Sequence, residues 1–132
     1  MRRLGKNTGG FTLIEMMIVI SLILILISIA VPAYNRSILR AKEATLRQDL
    51  FTLRDTIQQY TLDKQKAPQT LDDVKQAGYI REIPKDPFTG ETNWTIDMED
   101  ALIAVDQQEP GIYDVHSSSN LTASDGTAYS SW

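Results

Sequence analysis

The sequence predicts an α+β fold: one long amino-terminal α-helix, transmembrane in its first half and kinked at a proline, packed on a small antiparallel β-sheet. Three observations predict it. Residues Met16 to Asn35 form a run of 20 without a charged side chain. Leu39, Leu46, Leu50, Leu53, Ile57 and Tyr60 then recur at spacings of 7, 4, 3, 4 and 3, the rhythm of an amphipathic helix with one apolar stripe. After Gly90, short apolar segments alternate with period 2 between turn residues, as half-buried strands do.

The first element is a basic leader, Met1 to Gly10, with Arg2, Arg3 and Lys6, no acid, and a closing Gly9-Gly10 pair. The apolar run follows. At about 1.5 Å per residue, 20 helical residues cover roughly 30 Å, enough to cross a bilayer core, and a helix apolar on every face belongs in lipid or among like helices. The order of parts is informative. A secretory signal places its small-residue cut after the apolar region; here the glycine pair precedes it, so a cut between Gly10 and Phe11 leaves the anchor on the mature chain. A competing small-x-small site, Ser28-Ile29-Ala30, would instead release a soluble binding protein beginning at Val31.

Glu15 is the one charge between Phe11 and Asn35. A carboxylate in a membrane span costs about 2.5–3.5 kcal/mol on insertion scales, and such a residue calls for a partner. After a cut at Gly10, Phe11 carries a new ammonium group and Glu15 is four residues beyond it. Two unit charges about 4 Å apart attract by about 4 kcal/mol at an effective dielectric of about 20, within one chain or between neighbours. The alternative is a carboxylate hydrated at headgroup level.

Pro32 removes the amide that would bond the Ser28 carbonyl, yet the helical pattern resumes beyond it. Arg36, Arg40, Glu43 and Arg47 share a polar face, with Glu43 to Arg47 a favourable i, i+4 pair. The helix is expected from about Phe11 to about Gln65, stopping before Pro68. Thr70 to Gly78 reads as a short helix with Thr70 as N-cap and Gly78 past its end. Ile83 to Gly90 is a turn-rich loop holding Pro84 and Pro87. Strands are expected at Trp94–Met98, Leu102–Val105 and Ile112–His116, joined as antiparallel hairpins through Glu99–Ala101 and Asp106–Gly111. They must pack one face on the helix stripe.

Gly10-Phe11-Thr12-Leu13-Ile14-Glu15 resembles the prepilin motif of type IV pilins and type II secretion pseudopilins. The order Leu71…Gly78-Tyr79-Ile80…Ile83-Pro84…Asp86-Pro87…Gly90 is similar to that of the major pseudopilins. The resemblance implies cleavage between Gly10 and Phe11 by a prepilin peptidase and N-methylation at Phe11. It implies assembly roles for Glu15, in subunit registry, and for Pro32, where the helix bends or loosens between bilayer and filament. The implied organisation is a leader peptide at 1–10, a transmembrane and filament-core helix at 11–35, its amphipathic continuation at 36–66 and a periplasmic β-rich head at 67–132.

The implied function is that of a subunit polymerising into the periplasmic pseudopilus of a bacterial type II secretion system. The chain would sit in the inner membrane as a single-pass protein with its amino terminus cytoplasmic. Its partners would be itself in a helical homopolymer, minor pseudopilins, the prepilin peptidase and the inner-membrane assembly platform. A surface type IV pilus subunit, for adhesion or motility, is the alternative within the same family.

Composition restricts the chemistry. Thirteen basic against 17 acidic residues give a net charge of −4, unsuited to binding nucleic acid. There are no cysteines and a single histidine, His116, so thiolate and imidazole-rich metal sites are excluded. Asp114, His116 and Ser117 include the side-chain types of a hydrolase triad, but lie together on one strand with no nucleophile turn, and no enzymatic role is expected. No cofactor is required. Such pseudopilins often bind calcium in an acidic carboxy-terminal loop; the tail after His116 holds one acid, Asp125. The calcium ligands to be considered are Asp125, Ser117 and backbone carbonyls, with Asp114 close by, a thin charge for an ion that takes six to eight oxygens. Trp94 and Trp132 are read as packing residues.

Overall fold

The computed structural model describes residues 9–99 and 110–132. The expected strand at Leu102–Val105 and most of the two connections beside it lie outside the described residues, as does most of the leader. The chain divides into two compact units between Ile38 and Leu39, and one helix, α1 (Leu13–Lys64), begins in the first and ends in the second. Among the described residues, none before Leu39 belongs to the buried core.

In the second unit the expected stripe is buried: Leu46, Leu50, Leu53, Ile57 and Tyr60 form the core together with Leu71, Val74, Trp94, Ile112, Val115, Ala123 and Tyr129. Burying each large apolar side chain contributes about 1.5–3 kcal/mol. Leu39 departs from the expectation and stays 37% exposed. Helix α1 ends at Lys64 because Gln65 adopts a left-handed conformation, φ 56°, which breaks the hydrogen-bond ladder and which a side chain with a Cβ adopts at a cost of about 1–2 kcal/mol.

Helix α2 (Leu71–Gln76) is built as its sequence dictates. The Thr70 hydroxyl accepts from the Asp73 amide, and the Asp73 carboxylate accepts from the Thr70 amide, closing a capping box that satisfies two otherwise orphan donors. Gly78, at φ +86°, turns the chain away at its end. The loop that follows is held by Asp86, whose carboxylate accepts from the Phe88 amide at 2.8 Å while its own amide donates to the Glu91 carbonyl at 2.9 Å. The Trp94 indole donates to the Pro84 carbonyl at 2.9 Å, so its ring packs with its polar edge satisfied.

Strands β1 (Thr95–Glu99) and β2 (Gly111–His116) pair antiparallel. Simple alternation fails at one point. Asp97 lies opposite Asp114 but Met98 lies opposite Ile112, so Tyr113 is an extra residue in a β-bulge. The bulge shifts the phase of the strand, and Ile112 and Val115, three positions apart, are both fully buried while Tyr113 is 50% exposed. The Ile112 amide donates to the Pro68 carbonyl at 2.8 Å, tying β2 to the segment between the helices.

Two measurements check this packing in the full chain in detergent. Leu53→Ala is expected to cost about 2–5 kcal/mol of unfolding free energy through the cavity it leaves. Gln65→Gly is expected to add about 1 kcal/mol by relieving the left-handed backbone at the end of α1.

Candidate functional site

The amino-terminal unit carries the processing motif. Gly9, Gly10, Phe11 and Thr12 precede α1 and are exposed, Phe11 by 77%, so the Gly10–Phe11 bond lies outside the helix in accessible chain. The Thr12 hydroxyl accepts from the Glu15 amide at 3.2 Å, and the Glu15 carboxylate accepts from the Thr12 amide at 3.5 Å. Thr12-x-x-Glu15 is therefore a capping box. In the chain with its leader attached, the carboxylate at the start of the span is occupied locally, by a backbone donor at the positive end of the helix.

Beyond it the helix is apolar on every face, and its large side chains are exposed among the described residues. Ile18, Leu22, Ile25 and Ile29, one turn apart, are each more than half exposed, and so are Met17, Leu24 and Val31 on other faces. Among the described residues, α1 is the one helix long and apolar enough to cross a membrane. Pro32 lies within α1 without ending it. The Ser21 and Ser28 hydroxyls turn back on the carbonyls of Met17 and Ile25, at 2.7 Å each, so neither offers an unsatisfied donor to its surroundings.

In the head, the polar residues that matter are ones the sequence reading placed elsewhere or did not single out. Glu43 is the clearest correction. It does not pair with Arg47 on a solvated face; it is 7% exposed and faces inward. Its carboxylate accepts from the Ser124 amide and hydroxyl, each at 2.7 Å, and from the Tyr129 hydroxyl at 2.9 Å. The Ser124 hydrogen bonds hold its carboxyl below the ordinary value of 4.5, while burial, aided by the bond to Glu43, pushes Tyr129 up to about 12. Arg47 instead lies 4.5 Å from the centre of the Trp132 ring, a cation–π contact. Arg54 completes the attachment of the tail, donating to Asp114 at 2.6 Å, the Val115 carbonyl at 2.9 Å and the Trp132 main-chain oxygen at 2.7 Å.

The side chains considered for calcium already have partners within the chain. The Asp125 carboxylate accepts from the amide and hydroxyl of Thr127, at 3.0 and 2.6 Å, and its other oxygen is 4.0 Å from the Arg47 guanidinium. Ser117 is fully buried and its hydroxyl donates to Asp86. One carboxylate beside a guanidinium and one committed hydroxyl supply few of the six to eight oxygens that calcium takes. Nor are the triad side chains assembled: Asp114 and His116 share a face, 3.5 Å apart, while Ser117 bonds to Asp86 instead.

A processing motif, an apolar amino-terminal helix and an α+β head sharing that helix define a membrane-anchored, pilin-like subunit. Comparison with known proteins gives the family. The family profile described as the prokaryotic N-terminal methylation motif matches residues 5–31. The chain is 31% identical to type II secretion system core protein G of Klebsiella michiganensis over 107 residues, covering 69% of this chain and 74% of the relative. It is 28% identical to core protein G of Vibrio cholerae, covering 84% and 89%. It is 31% identical to competence protein ComGC of Halalkalibacterium halodurans, covering 61% and 78%. No solved structure gives a significant match. The chain belongs to the pilin-like family of type II secretion system core protein G, the major pseudopilins.

The Glu43 network has a pH signature. Its folded-state value is lowered, so the stability it contributes is present above 4.5 and is lost as pH falls through the native value. Acid unfolding monitored by circular dichroism should therefore be less steep below that pH in Glu43→Gln than in the wild type. At neutral pH the same variant should be less stable by about 1–3 kcal/mol, through the weakened bonds to Ser124 and Tyr129.

Proposed function

We propose that this chain is the main structural subunit of a periplasmic pseudopilus in a bacterial type II secretion system. The observation that carries the reading is the exposure of every residue but Met16 in the first half of α1. An apolar surface of that extent requires lipid or other helices around it, and a filament of identical chains supplies the second after the bilayer has supplied the first. Prepilin peptidase cuts between Gly10 and Phe11, Phe11 is N-methylated, and the anchor remains on the mature subunit in the inner membrane with its head in the periplasm.

The cut also changes the position of Glu15. It creates an ammonium group at Phe11, a charged donor stronger than the Thr12 amide that now holds the carboxylate. Exchange of the capping partner for the ammonium group of an adjacent subunit would set the axial register of the stack. Pro32, which removes the i+4 amide that would otherwise bond the Ser28 carbonyl, is the place where the helix can adjust between lipid and filament. Minor pseudopilins and the inner-membrane assembly platform are the partners this role entails; it asks for no cofactor and no nucleic acid. The similarity to competence protein ComGC supports a second reading, a subunit of a competence apparatus built on the same assembly physics.

Mass spectrometry of the native protein should find a mature amino terminus at methylated Phe11; a start at Val31 would remove the anchor and the proposal with it. Glu15→Ala should insert in the membrane at wild-type levels yet give several-fold less sheared filament. Wild-type filament yield from that variant would dismiss the registry role.

A further inference from the structure

We propose that Asp97, Asp114 and His116 form a binding site for a divalent transition cation of the zinc class, separate from the carboxy-terminal loop around Asp125. The sheet assembles it. The register sets Asp97 directly opposite Asp114 and Thr95 opposite His116, and like charges directly opposite destabilise an antiparallel pair unless a cation lies between them. The His116 Nε2 is 2.9 Å from Asp97 Oδ2 and 3.5 Å from Asp114 Oδ2, and one ligand atom from each residue lies within 4.8 Å of the others. Donors bound at about 2.0–2.2 Å around a tetrahedral zinc stand about 3.3 Å apart, so the three need only small side-chain adjustments.

The surroundings of the histidine point the same way. Its Nδ1 is 2.6 Å from the Trp132 main-chain oxygen, which can only accept, so Nδ1 carries a proton. In the neutral ring that leaves Nε2 as a lone pair aimed at two carboxylates. Acceptors converging in this way require a cation at their centre or a second proton on the ring. A ligating histidine whose other nitrogen donates to a carbonyl is the usual outer-shell arrangement in metal sites. Arg54 engages Asp114 through Oδ1, which orients the carboxylate and leaves Oδ2 for the ion. The three side chains are 22–39% exposed, which opens a path for the ion and leaves a fourth coordination position to water. Imidazole with two carboxylates suits zinc-type ions better than calcium, which takes more oxygens and no nitrogen here. Bound there, the ion would clamp β1 to β2 and, through His116, to the Trp132 end of the tail.

The test is titration of chelator-stripped full chain in detergent with zinc chloride by calorimetry, and with cobalt chloride by visible absorption. One zinc per chain and the intense visible bands of a tetrahedral cobalt site are expected. His116→Gln and Asp97→Asn should each weaken zinc binding about tenfold or more, with circular dichroism confirming a folded head, while Asp125→Asn should bind as the wild type does. Asp97→Asn, on the more exposed strand, decides the matter should His116→Gln fail to fold. The absence of saturable binding, or equal affinity in the folded ligand variants, would overturn the site and leave the cluster as an imidazolium bridging two carboxylates.

Discussion

The constraint on which this protein depends is an apolar helix surface that stays exposed among the described residues. From Leu13 to Val31 the helix presents large aliphatic side chains in every direction, with Leu13 82% and Ile29 68% exposed. Water is the worst solvent for such a surface, and a single chain cannot fold onto all faces of its own helix. The surroundings have to be supplied, first by lipid and then by copies of the same helix. Exchange of one for the other requires little change in apolar burial, because hydrocarbon chains and leucine side chains are similar solvents for each other. What distinguishes the two states is therefore left to the few polar groups, and Glu15 is the charged one.

The head is subject to the opposite constraint. It has a small core and a long irregular tail, and the tail is fixed by buried or half-buried polar residues on α1. Glu43 satisfies Ser124 and Tyr129 at one place, and Arg54 satisfies Asp114, Val115 and Trp132 at another. Each residue closes a long connection in sequence, since Asp114 is 60 and Tyr129 86 positions from its partner. Charged groups committed to several donors or acceptors are costly to leave unpaired. They specify one position for a tail that has little hydrophobic content of its own.

The features legible in the sequence are those with local causes. The span, the stripe from Leu46 to Tyr60, the Thr70 cap, the turn at Gly78 and the irregular loop from Ile83 to Gly90 follow from periodicity, capping and proline chemistry within a few residues. Thr12-x-x-Glu15 is also a local signature, and it gives the acid a structural role beside the one its charge suggests. Glu43 was half legible. It divides the spacing of 7 between Leu39 and Leu46 into 4 and 3, which places it on the buried stripe, but its partners lie 81 and 86 positions away. With Arg47 in place as an i, i+4 partner, the glutamate is read as exposed. The bulge at Tyr113 was not legible, since alternation from Ile112 to His116 looks regular until the partner strand sets the register. The meeting of Asp97 with Asp114 and His116 depends on that same register.

The central claim is that the first half of α1 passes from lipid contact to contact with its own copies. The chain has no cysteine, so a single Leu24→Cys substitution places one thiol at the middle of the exposed span. Intermolecular crosslinking of this variant with a short bismaleimide, in sheared filaments, measures the contact directly. A dimer crosslinked through the introduced thiol is expected from sheared filaments, and its loss from membranes in which assembly is blocked. Monomer alone from intact filaments, under conditions that crosslink thiols placed on the head, would contradict the account.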